Sequence, residues 1–95
     1  LPYFSNNLNK MLSVCENCEY SEKHGYHTSL DLYEQEGGKY NLKMQTSIVG
    51  NFGNISDVIW LNEKELLFFT EKSWNDGDGR GTQEELKYFI LTITA

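Results

Sequence analysis

The sequence predicts an α+β domain: an antiparallel meander of about five strands carrying one amino-terminal helix, with a small all-β barrel as the alternative closure. Three observations lead there. The stretch Asp57–Thr70, DVIWLNEKELLFFT, sets two short apolar runs, Val58–Leu61 and Leu66–Phe69, on either side of Asn62–Glu65. Both are too short for helices and rich in β-branched and aromatic residues, so they predict a hairpin whose strands are buried on both faces. Between His27 and Ile48, two alternating runs flank Gln35-Glu36-Gly37-Gly38, where the glycines supply the positive φ of a tight hairpin turn. Finally, Leu8, Met11, Leu12, Cys15 and Cys18 follow the i, i+3, i+4, i+7 spacing of one helical face.

Taken in order, Asn6–Cys18 is the expected amphipathic helix, with Ser5 as its cap and both cysteines turned inward near its carboxyl end. Glu19–Gly25 is a polar loop. In the glycine hairpin, Thr28, Leu30 and Leu32 share one face; on the second strand Tyr40, Leu42, Met44, Thr46 and Ile48 share another, alternating with polar residues, as in a sheet near its edge. Val49–Ser56 is a loop into the central hairpin, and Glu71–Glu84 is a long polar, glycine-rich connection. The last strand, Leu86–Thr94, sets Tyr88, Ile90 and Thr92 against Phe89, Leu91 and Ile93, the pattern of an inner strand. Its apolar residues, with those of the central hairpin, exceed what one short helix can cover. The sheet therefore either curls into a barrel or leaves an apolar patch for a partner.

Ninety-five residues make one domain, 1–95, with room for a single core. Thirteen aromatic residues and 39% hydrophobic content fit a folded chain rather than a disordered one. No stretch has the ~18 uninterrupted apolar residues of a membrane helix. The formal charge is −6, with one arginine among eight basic residues, which argues against nucleic acid as a partner. Leu1–Ser5 lacks the regions of a signal peptide, and the compartment stays open, with the cytoplasm favoured.

Two clusters offer chemistry. Cys15-x2-Cys18 with His24 and His27 brings the four ligand types of a Cys2His2 zinc site into thirteen residues, although the gap between the pairs is much shorter than in zinc fingers. The alternatives are two small apolar thiols beside loop histidines, or a disulfide across a short loop. The second cluster is Trp74–Glu85, WNDGDGRGTQEE, which resembles the twelve-residue EF-hand loop: Asp76, Asp78, Gly79 and Glu85 stand at the third, fifth, sixth and twelfth positions. Trp74 and Gly81 depart from that pattern at the first and eighth. The order of strands also loosely resembles the meander of a β-propeller blade, of which this length would supply about two.

No nucleophile elbow, phosphate loop or His-Glu-x-x-His is present, and an enzyme is not expected. The expected function is a small acidic protein-binding module, similar in size and charge to immunity proteins and small inhibitors, that needs no cofactor and recognises a basic protein. Its contact residues are expected to be Trp74, Asp76, Asp78, Glu84 and Glu85 on one loop, extended by Tyr33 and Asp31. A structural zinc domain is the alternative, and a subunit or fragment of a larger assembly, with self-association, the second.

Overall fold

A computed structural model describes residues 1–49, 54–75 and 82–94. It is all β. Among the described residues, seven strands, β1 (Pro2–Phe4), β2 (Lys10–Ser21), β3 (Gly25–Glu36), β4 (Lys39–Ile48), β5 (Asn54–Trp60), β6 (Glu65–Asn75) and β7 (Thr82–Thr92), form two antiparallel sheets, β1-β2-β3-β4 and β5-β6-β7. These sheets stack around one core: Leu12, Val14, Leu30 and Leu32 from the first meet Val58, Trp60, Leu66 and Phe68 from the second. The α+β expectation is thus corrected, and so is the barrel. Among the described residues there is no helix, and no ladder joins the two sheets into a closed wall.

The segment read as a helix is a tight turn followed by most of β2. Its governing period is two: Leu12 and Val14 are buried while Met11, Ser13 and Cys15 are not. The helical spacing was carried by residues that do not share a core face, since Leu8, Cys15 and Cys18 are all exposed. Ser5 is buried and closes the turn instead of capping a helix. Its backbone N–H donates to the Lys10 carbonyl (2.9 Å), its hydroxyl accepts from the Lys10 N–H (3.0 Å), and Leu8 takes a positive φ of 62° between them.

The glycine hairpin is as expected. Gly37 and Gly38 have φ of 58° and 79°, the two positive values of a type I′ turn, whose twist matches that of the flanking strands. One detail differs. The register slips between Leu32 and Tyr33, so Leu32 opposes Met44 but Tyr33 opposes Leu42, leaving Lys43 as the extra residue of a bulge. Tyr40 and Leu42 therefore turn to the outer face, away from Met44, Thr46 and Ile48.

The central hairpin also forms where expected, with Val58 opposite Phe68 and Trp60 opposite Leu66. It is buried on one face only. Val58, Trp60, Leu66, Phe68 and Thr70 point into the core, whereas Ile59 and Phe69 face outward. The connection expected over Glu71–Glu84 is mostly strand: β6 and β7 pair without a slip from Glu65–Thr92 to Asn75–Thr82. β7 is an edge strand of its sheet, not an inner one. Its inward residues Phe89, Leu91 and Ile93 complete the core, with the Phe89 ring stacked on Phe68 at 4.9 Å and 10°.

Polar ties fix how the sheets sit. The Trp60 indole Nε1–H donates to the Tyr3 carbonyl (2.9 Å), Lys10 Nζ donates to the Glu63 carbonyl (2.8 Å), and Glu16 Oε1 accepts from the Ile55 N–H (2.6 Å). All three join the β1–β2 side of one sheet to β5 and its turn. The molecule measures 57 × 30 × 20 Å, with a radius of gyration of 15.6 Å. A compact chain of this length would have ~12 Å. The excess fits a core confined to the middle of long ribbons.

Candidate partner-binding surface

The outer face of the three-stranded sheet follows from strand alternation. Since Val58, Trp60, Leu66 and Phe68 point inward, their neighbours must point outward. The ladder then sets Ile59, Leu67 and Ile90 in one row across β5, β6 and β7, and Asp57, Phe69 and Tyr88 in the next. Glu71 and Leu86 follow, then Ser73 and Glu84. Six apolar side chains are contiguous, and five are substantially exposed: Leu86 74%, Tyr88 71%, Ile90 52%, Ile59 44% and Phe69 36%. Carboxylates border them at Asp57, Glu71 and Glu84.

At the acidic end of this face a recess of about 100 Å³ is lined by Asn54, Glu71, Lys72, Ser73, Glu84 and Leu86. Two carboxylates with an apolar wall suit a long cationic side chain, whose stem packs on leucine while its head meets the acids. An apolar centre with a charged rim is the general anatomy of a protein contact.

The residues expected to make the contact are divided by the fold. Trp74 lies on β6, on the same face as Lys72, whose ammonium stands 6.0 Å from the indole centroid. Glu85 shares that face, opposite Lys72 in register and ion-paired to Lys87 at 2.9 Å. Glu84 is on the other face, in the rim just described. Asp76 and Asp78 lie outside the described residues. Asp31 and Tyr33 alternate with the buried Leu30 and Leu32, which puts them on the outer face of the four-stranded sheet, across the sandwich from Tyr88. Asp31 accepts a hydrogen bond from Gln45 there (3.2 Å), and Tyr33 sits between Met11 and Leu42 in register. Of the described members of the expected set, only Glu84 belongs to the apolar face.

Cys15 and Cys18 are joined in a disulfide across the irregular stretch of β2 between Cys15 and Glu19, with Cα atoms 5.6 Å apart and Asn17 at a φ of 56°. They are exposed rather than packed inward. His27, on β3, hydrogen-bonds through Nε2 to Glu19 (3.0 Å), and His24 is exposed in the β2–β3 turn. A zinc site would need both sulfurs as thiolates. Among the described residues no three His, Cys, Asp or Glu side chains converge as metal ligands.

Among the described residues, two sets of titrating groups are perturbed. Burial raises the Tyr3 phenol above its ordinary value, and the nearby Asp57 and Glu16 add to it. Glu36 is lowered by its hydrogen bond and charge contact with Lys43, the bulge residue, at 2.6 Å; Lys43 is raised in turn. Neither lies on the apolar face.

No protein-family model, curated protein or solved structure matches this chain.

The outer-face residues were missed because Val58–Leu61 and Leu66–Phe69 are unbroken apolar runs. Such runs read as buried twice over. The usable signal was the alternation in Leu86–Thr94, which already places Tyr88 with Ile90.

Proposed function

We propose that this chain is a small protein-binding module whose partner docks on the outer face of β5-β6-β7, and that the partner presents an apolar patch rimmed by lysine or arginine. One observation carries the reading: Ile59, Leu67, Phe69, Leu86, Tyr88 and Ile90 form one continuous exposed face with acids only at its border. Exposed apolar area of this kind is unfavourable in water unless something covers it. The rim and the net charge of −6 favour a basic occupant and speed its encounter. An inhibitor or immunity-type role is the form of this activity that needs no catalytic group.

The same face supports a second reading, in which a further sheet of a larger assembly stacks on it as the four-stranded sheet stacks on Val58, Trp60, Leu66 and Phe68.

The test places a photoreactive amino acid at position 88, with position 33 as control, in the cells of origin. The neighbour captured at 88 is then purified and titrated by calorimetry. The proposal expects a neighbour with a basic surface. Tyr88→Ser with Ile90→Ser should weaken its binding by about 100-fold, and Tyr33→Ser should leave it unchanged. Equal binding by the double variant, an acidic neighbour other than a second copy of this chain, or no neighbour specific to position 88 would refute it.

A further inference from the structure

We infer that β7 is a dimerisation edge: two copies pair their β7 strands antiparallel about a two-fold axis through Leu86, joining two three-stranded sheets into one of six. The pairing runs along the backbone edge of β7, and on the outer face it brings Leu86 and Tyr88, which belong to the docking face proposed above, to the seam.

Each sheet has two outer strands, and the two long ones, β4 and β7, are unlike. β4 is guarded against pairing by Lys39, by Lys43 and by the bulge at Lys43. β7 has no bulge; its charged residues, Glu84, Glu85 and Lys87, include one lysine. Its eleven residues contain no proline, its ladder with β6 runs without a slip, and among the described residues its other edge pairs with no strand. Leu86, Tyr88 and Ile90 leave that edge apolar and exposed. Long, regular, apolar edges are templates for a further strand.

Charge selects a second copy and fixes the register. Glu85 and Lys87 are two apart on one face of β7. An axis through Leu86 sets Glu85 against the partner's Lys87 and Lys87 against the partner's Glu85. On the other face it sets Leu86 against its own copy and Glu84 against the partner's Tyr88. Moving the axis by one residue either way places Glu85 opposite Glu85 or Lys87 opposite Lys87, a like-charge pair directly across the strands. Lys72 stands opposite Glu85 on the β6 side, so each row alternates in sign from Lys72 to Glu85 to the partner's Lys87. The contact is isologous and closes at two copies. The overlap runs from Thr82 to Ile90 and supplies about one backbone hydrogen bond per residue pair. Repulsion between two chains of net charge −6 opposes it, and is screened beyond about 8 Å at physiological salt.

The experiment is sedimentation of the full chain at physiological salt, from about 10 μM to about 1 mM, with Glu85→Lys, Lys87→Glu and the double exchange. A reversible dimer is expected. Each single exchange should weaken it at least about tenfold, because like charges then face each other, and the double exchange should restore it to within about threefold. Thermal melting of each variant checks that folding is intact. As a check that needs no charge change, Leu86→Cys should give a covalent dimer on oxidation and Ser73→Cys, on β6, should not. A monomer throughout the range, species larger than a dimer, or a double exchange as weak as the singles would overturn the inference.

Discussion

Phe68 and Phe69 are adjacent in sequence and chemically identical, yet the fold gives them opposite environments, so truncating each in turn measures the one-sidedness of β6. Phe68 has no exposed surface and stacks on Phe89. Phe68→Ala removes a buried ring and leaves a cavity between Val58 and Phe89, its neighbours on either strand, a loss of about 3–5 kcal/mol. A domain of this length has roughly 5–14 kcal/mol in total, so the variant should be at or near unfolding at ordinary temperature. Phe69 is over a third exposed on the outer face, between Asp57 and Tyr88. Its truncation gives up partial burial and creates no enclosed void, at about 1 kcal/mol. Urea unfolding followed by the fluorescence of buried Trp60 gives both values, with an unchanged slope as the sign that only stability has moved. Equal losses, or a larger loss at Phe69, would refute the account of the sheet faces.

Other expectations follow from single contacts. Trp60→Phe keeps most of the packing but removes the indole donor to the Tyr3 carbonyl; it should lower stability by about 1–2 kcal/mol and speed amide exchange in β1. Ser5→Ala removes the buried hydroxyl that serves both Asn7 and the Lys10 N–H, and should cost about 1–2 kcal/mol in the same urea assay. Reducing the Cys15–Cys18 disulfide, which closes a ring with a sequence separation of 3, should cost about 2 kcal/mol or less. The loss should be local, as faster exchange near Glu19 and His27 with the core unchanged. Glu36 is depressed by Lys43. The stability it contributes is present above the ordinary carboxylate value of 4.5 and is lost as the pH falls through the lower folded value. A carboxyl-detected titration should therefore show Glu36 titrating low, and Lys43→Ala should move it back up.

Much of the strand content was legible, because two kinds of local chemistry announced it. Paired glycines at 37 and 38 could serve a two-residue turn, and the apolar runs around Asn62–Glu65 had no other use than a hairpin. The amino-terminal segment misled because Leu8, Met11, Leu12, Cys15 and Cys18 match a helical stripe by position alone. The buried pair that matters, Leu12 and Val14, differs by two, and Val14 falls outside the stripe. With that helix gone, the apolar surface it was meant to cover found a second sheet. Neither the bulge at Lys43 nor the disulfide geometry has a sequence signature; each depends on the register of a partner strand. The candidate surface was half legible. A surplus apolar face was one of two expected outcomes, the other being a barrel; Glu84 was expected beside Trp74 on an acidic loop, whereas alternation turns Trp74 to the other side of its sheet.

The most direct test of the account is carbene footprinting of the isolated chain with a small apolar diazirine, read residue by residue by mass spectrometry. The account predicts heavy labelling at Ile59, Phe69, Leu86, Tyr88 and Ile90, and protection of Val58, Trp60, Leu66 and Phe68. Labelling spread evenly over both sets, or concentrated on the second, would contradict both the sandwich and the binding face built on it.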